Sequence, residues 1–186
     1  MVDESKVTKI VSNVNENTEY FNKMLSDIVS SYTEDLDNLM SNINRNVISI
    51  DNPAVVTIEK YFLELSNCLY FMCDRIEKLG VYDSLSKSSA QEAYNTKYLE
   101  HQNINVGVVG GKKPTVAETT ATAENAVIYD KLINDVYNKA YKIVNNKVNA
   151  AETMLKTLSK ILSHRMSEMQ LTNMQTSRQI LNEGGL

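Results

Sequence analysis

Residues 131–169, KLINDVYNKAYKIVNNKVNAAETMLKTLSKILSHRMSEM, decide the fold class of this chain. The stretch lacks proline and glycine, and Ile133, Tyr137, Ala140, Val144, Val148, Ala151, Leu155, Leu158, Leu162 and Met169 recur mostly at gaps of three and four. That spacing is one face of an α-helix. At about 100° per residue these side chains fall within an arc of roughly 100°. The opposite arc carries Lys131, Lys139, Lys142, Lys156, Lys160 and His164, with Asn138, Asn146 and Asn149 between them and Asp135 as the acid in its body. The expectation is a helix with a core face and a basic stripe roughly 50 Å long.

Working outward, the helical pattern extends upstream to Val116, where Thr115 and Glu118 have the spacing of a capping box. An unbroken helix from Val116 to Leu171 would be about 84 Å long, which a compact domain of this size cannot hold. Either the molecule is elongated or the helix breaks, and Asn145-Asn146 is the weakest point. Val55, Ile58, Phe62, Leu65, Leu69, Met72, Ile76 and Leu79 follow strict 3-4 spacing and predict a central core helix that ends at Gly80. Asp51-Asn52-Pro53 precedes it, with Asn52 as expected N-cap and Pro53 at the first helical position. Val7, Val11, Val14, Thr18, Phe21, Leu25, Ile28 and Tyr32 form a further coiled-coil seam, which Leu36, Leu39 and Ile43 continue after a one-residue slip. A weaker, more polar helix is expected over 84–100.

The predicted architecture is therefore all-α: an elongated, coiled-coil-like bundle of about four helices with a very long C-terminal helix. Its expected divisions are an acidic N-terminal helix (1–50), a helical core (51–171) with a flexible loop at 101–115, and a C-terminal tail (172–186). Long seams with few partners in their own chain predict burial between copies, so a homo-oligomer is expected.

Composition limits the function classes. The 186 residues are 42% hydrophobic and 23% charged, with no apolar run near the length of a membrane span. Neither a secretory signal nor a membrane partner is expected. Cys68 and Cys73 stand five apart in an apolar pattern, which is neither a metal nor a disulfide spacing, and they read as core residues of a cytoplasmic protein. Net charge is −4, but residues 1–59 hold ten acids against four bases and residues 107–165 hold nine bases against five acids. Such asymmetry suits an anionic partner, or two surfaces of the chain that suit each other.

Catalysis finds no support in the motifs. Gly107-Val-Val-Gly-Gly-Lys-Lys-Pro114 fails as a phosphate-binding Walker loop, because Gly107 stands too close to Gly111 and Lys112 is followed by Lys113 and Pro114. Lys112 and Lys113 can still meet phosphates by charge alone. His101 and His164 lie far apart without triad or ligand companions, so no enzyme activity, metal or cofactor is expected. Exposed helix faces are routinely lysine-rich, but this one is nearly free of Glu and is flanked by Tyr129, Tyr137 and Tyr141, with Tyr94 and Tyr98 around Lys97. Cations for the backbone and aromatic faces for stacking are what proteins use to hold single-stranded nucleic acid. The candidate binding residues are Lys131, Lys139, Lys142, Lys156, Lys160, His164, Lys112 and Lys113.

The layout over roughly residues 53–171 resembles the UvsY-like recombination mediators of T-even-type bacteriophages. An apolar, tyrosine-bearing helix (Tyr61 to Leu79) precedes a polar helix ending in Tyr94 and Tyr98. A Gly/Lys loop follows, then a long helix ending in Lys160-Ile-Leu-Ser-His-Arg-Met166. The resemblance implies an oligomer that binds single-stranded DNA and helps load a recombinase in the host cytoplasm. The competing expectation is a helical protein–protein or structural module, such as a virion component or an inhibitor of a host defence system.

Overall fold

The computed structural model describes residues 4–104 and 113–183. The elements are α1 (Glu4–Ile43), continued by a π-helical turn (Asn44–Ile48), α2 (Val55–Gln102), α3 (Val116–Ala126) and α4 (Ile128–Glu183). The fold is all-α, and among the described residues no helix is long and apolar enough to cross a membrane.

Three helix boundaries differ from the sequence expectation, each for a local reason. Gly80 does not end a helix: α2 runs through it to Gln102, absorbing the separate helix expected at 84–100. The ring of Tyr141 passes beside it, where a Cβ at position 80 would lie 3.4 Å from Cε2, so the glycine sits in mid-helix against α4 rather than in a left-handed cap. Similarly, α4 continues through Asn145-Asn146, and the break falls at Val127, which is buried between α3 and α4. Helix α2 begins at Val55, with the Thr57 and Ile58 amides donating to the Ala54 carbonyl, so Asn52 and Pro53 lie in the turn before it.

The chain packs as two units, 1–32 with 75–144 and 33–74 with 145–186, and α1, α2 and α4 contribute to both. In the second unit the Asn46 side-chain amide, on the π turn, donates to the Tyr61 hydroxyl of α2. Its core is Leu36, Ile43 and Val47 from α1 and its π turn, Ile58, Leu65 and Met72 from α2, and Val148, Ala151 and Leu158 from α4. In the first unit, Gly80–Tyr141, Asp83–Asn138 and Ser86–Asn134 run in opposite directions along α2 and α4, so these two helices are antiparallel there. Val29, Leu79, Ala90, Ala123, Val136, Ala140 and Val144 fill that core.

The seams narrow and shift. On α2, Ile58, Leu65, Met72 and Leu79 are fully covered at every seventh residue, whereas Val55, Phe62, Leu69 and Ile76 are half-buried. On α1 and its π turn the covered set is Val29, Thr33, Leu36, Ile43 and Val47, which begins one residue later than the expected Ile28 and Tyr32. The slip puts a hydroxyl in the core. Thr33 donates to Asp37 Oδ2 at 2.8 Å and accepts from Lys147 Nζ at 3.1 Å, so it is buried with its hydrogen bonds made. On α4, Ile133 and Met169 are exposed rather than core, because the buried positions at their ends of the helix are Val136 and Leu158. Cys68 is half-buried and Cys73 exposed, which corrects the expectation that both are core residues.

The expected capping box is present. Thr115 Oγ1 accepts from the Glu118 amide at 3.2 Å, and the Thr115 amide donates to Glu118 Oε2 at 2.8 Å. That backbone donor, then the Thr115 hydroxyl, holds the Glu118 carboxyl below its ordinary value. A depressed acid adds stability above its unfolded-state pKa and loses it as pH falls through the folded value. Glu118→Gln is therefore expected to flatten the acid limb of a thermal-melt profile; an unchanged limb would show that the box adds no pH-dependent stability.

Candidate nucleic-acid interface

Because α4 buries the arc that holds Ala140, Val144, Ala151 and Leu158, its lysines on the far side are left in solvent. In the first unit, Lys131, Lys139 and Lys142 are exposed; in the second, Lys156, Lys160 and His164 are. Lys113 is exposed, and Lys112 lies outside the described residues. Lys139, Lys142, Lys156 and Lys160 make no hydrogen bond or ion pair among the described residues. Four ammonium groups thus keep their charge available to a ligand.

Two members of the expected row are engaged inside the protein. Lys131 Nζ lies 3.7 Å from Glu124 Oε1 and 5.5 Å from the centroid of the Tyr94 ring. This cation–π contact joins α4 to the Tyr94–Tyr98 pair of α2, whose centroids are 6.1 Å apart. In the second unit, His164 Nδ1 lies 3.5 Å from Glu168 Oε1, one turn along the same helix. Asn138 also leaves the row: half-buried, it donates to Asp83 Oδ2 at 3.3 Å.

The tyrosines divide likewise. Tyr137 stacks on Tyr82, with centroids 6.0 Å apart and planes 20° from parallel, and Tyr141 packs against Gly80. These rings are structural. Tyr129 is 57% exposed and can offer a face to a base. Lys97, expected to sit with Tyr94 and Tyr98, instead pairs with Glu100 at 2.8 Å.

Two cations escaped the sequence reading because they sit on the core side of α4. Lys147 follows Val144 by three and precedes Ala151 by four, so it emerges beside α1, where it pairs with Asp37 and bonds Thr33. Arg165 stands seven residues after Leu158 and reaches the turn before α2, donating from Nη1 to Asn52 Oδ1 at 3.1 Å. The signal was a charged residue at a seam position, which demands a partner.

Lys160, His164 and Arg165 of α4 converge on a cleft of about 600 Å³ in the second unit, opposite Val47, Ile48 and Ile50 through Pro53. It is the place where the structure brings two of the expected site residues together in a concave surface. No protein-family model, curated protein or solved structure matched this chain when the three kinds were compared with it.

Proposed function

We propose that this chain binds single-stranded nucleic acid without sequence preference, through the exposed lysines of α4. The supporting observation is that Lys139, Lys142, Lys156 and Lys160 are in solvent and lack acidic partners among the described residues, in a chain whose net charge is −4. Exposed cations without acidic partners are open to a phosphate backbone, which neutralises them and releases counterions. Titration of a labelled oligonucleotide at several salt concentrations tests the reading; binding indifferent to salt would refute it.

In the role that the UvsY-like layout implies, the protein is a non-enzymatic accessory factor of phage recombination. It acts as a homo-oligomer on single-stranded DNA in the host cytoplasm and presents that DNA to a recombinase. The α2 seam is buried within the chain at Ile58, Leu65, Met72 and Leu79, so self-association must use other surfaces.

One observation favours the second reading, a helical protein–protein or structural module. In the second unit Val56, Leu63 and Tyr70 are 75%, 66% and 74% exposed at seven-residue spacing on α2, with Phe71 beside them. Exposed apolar positions in such a row mark an interaction surface. The two readings share one expected result: light scattering at micromolar concentration gives a mass above that of the 21.0 kDa chain. A monomer mass at all concentrations would refute self-association under both.

A further inference from the structure

Helix α2 carries apolar residues on two opposite sides. In the second unit Ile58, Leu65 and Met72 are covered by the rest of the chain, while Val56, Leu63 and Tyr70 lie in solvent. The exposed three belong to a longer row, Val56, Lys60, Leu63, Asn67, Tyr70 and Asp74, in which steps of four and three alternate without a fault. At about 100° per residue the row keeps within an arc of roughly 80°, centred opposite the buried positions. Regular 4-3 spacing is the pattern by which one helix lies along another. All six side chains are exposed, and Tyr70 stands edge-to-face with exposed Phe71, ring centroids 5.4 Å apart. An apolar stripe opposite the one the chain already buries is a second surface to be covered.

The polar members of the row indicate what covers it. Asn67 stands at its centre, with Lys60 seven residues before it and Asp74 seven after. A second copy laid antiparallel, with a two-fold axis at Asn67, brings Lys60 of each copy beside Asp74 of the other. The same placement sets Leu63 of each copy against the Tyr70–Phe71 pair of the other. Laid parallel in register, the copies would set Lys60 against Lys60 and Asp74 against Asp74, so charge selects the antiparallel pair. A single asparagine in such a seam fixes register, since two amides can pair across the axis. Both charges are available: Asp74 makes no hydrogen bond or ion pair among the described residues. Lys60, with 65% of its side chain exposed, faces Glu64 at 3.8 Å and the Tyr61 ring at 5.8 Å, contacts worth little in water.

We propose that two copies of this chain pair antiparallel through the outer face of α2, about a two-fold axis at Asn67. This pairing rests on the reading of the row as an interaction surface and gives that surface its occupant. The row spans about 27 Å of helix, which places the interface among the smaller specific ones, below about 1,200 Å². The dimer should therefore form at micromolar concentration and come apart on dilution.

Sedimentation equilibrium of the full chain across that range tests the pairing. Wild-type protein should approach twice the 21.0 kDa mass of the chain. Leu63→Glu, at an exposed position, should stay monomeric with its helicity unchanged. Lys60→Glu and Asp74→Lys each set like charges face to face at both contacts and should weaken pairing by about tenfold. Mixed in equal amounts, these two variants restore opposite charges at both contacts, and a heterodimer should form with wild-type affinity. Wild-type protein that is monomeric at every concentration would overturn this pairing and self-association together. Assembly that survives Leu63→Glu would overturn the α2 pairing alone and assign self-association to another surface. A mixture that pairs no more tightly than its components would overturn the antiparallel arrangement, even with Leu63→Glu monomeric.

Discussion

Replacing Leu65 with alanine should lower the stability of the folded chain by about 2–5 kcal/mol, the range for removing a large aliphatic side chain from a packed interior. Leu65 of α2 is fully covered in the core of the second unit, where α1 supplies Leu36 and Ile43 and α4 supplies Val148, Ala151 and Leu158. The lost contacts cannot be replaced without moving one of three helices, so a cavity remains. Leu69, the next residue in the α2 seam, is half-buried and should cost less on the same change. Lys156 in solvent should cost within about half a kcal/mol. Thermal or urea unfolding ranks the three; a Leu65→Ala protein as stable as a Leu69→Ala protein would displace α2 from the centre of the core.

The second large effect concerns binding. Reversing Lys142, Lys156 and Lys160 together to glutamate should abolish oligonucleotide binding, because it removes three of the four α4 lysines that lack an acidic partner among the described residues and installs three repelling charges. All three side chains are exposed, so helicity and assembly state should survive. Lys112→Glu with Lys113→Glu should give a smaller, additive loss, since those residues precede α3 in the sequence. Under the protein–protein reading the outcome reverses: wild-type protein barely binds nucleic acid, and the triple reversal disrupts an assembly. Circular dichroism and light scattering beside the binding assay tell the two apart.

The helical class was legible because apolar spacing reports one face directly, and the lysine side of α4 followed from the same wheel. What the pattern could not provide was the identity of the neighbour. Gly80 reads locally as a terminator, yet α2 passes through it with the ring of Tyr141 from α4 packed alongside. The one-residue slip on α1 was visible, yet locally Ile28 and Tyr32 are better core residues than Val29 and Thr33. The hydroxyl becomes acceptable only because Asp37 and Lys147 satisfy it. Long-range partners also decided the candidate site. Lys131 looked like its neighbours in the row until Tyr94 and Glu124 claimed it, and nothing in the local pattern pointed from Arg165 to Asn52. Residues 1–59 announced their acidity plainly, and the Asp37–Lys147 pair shows where one of those acids is spent.

The central claim, that unpaired lysines on α4 meet a phosphate backbone, is tested most directly by the salt dependence of binding to a single strand of roughly 30 bases. With four lysines engaged, log K against log salt should fall with a slope of about −3, near −0.7 per phosphate neutralised, and should differ little between sequences of equal length. Failure of the wild-type protein to shift such a strand at about 50 mM salt, or a slope near zero, would contradict the account.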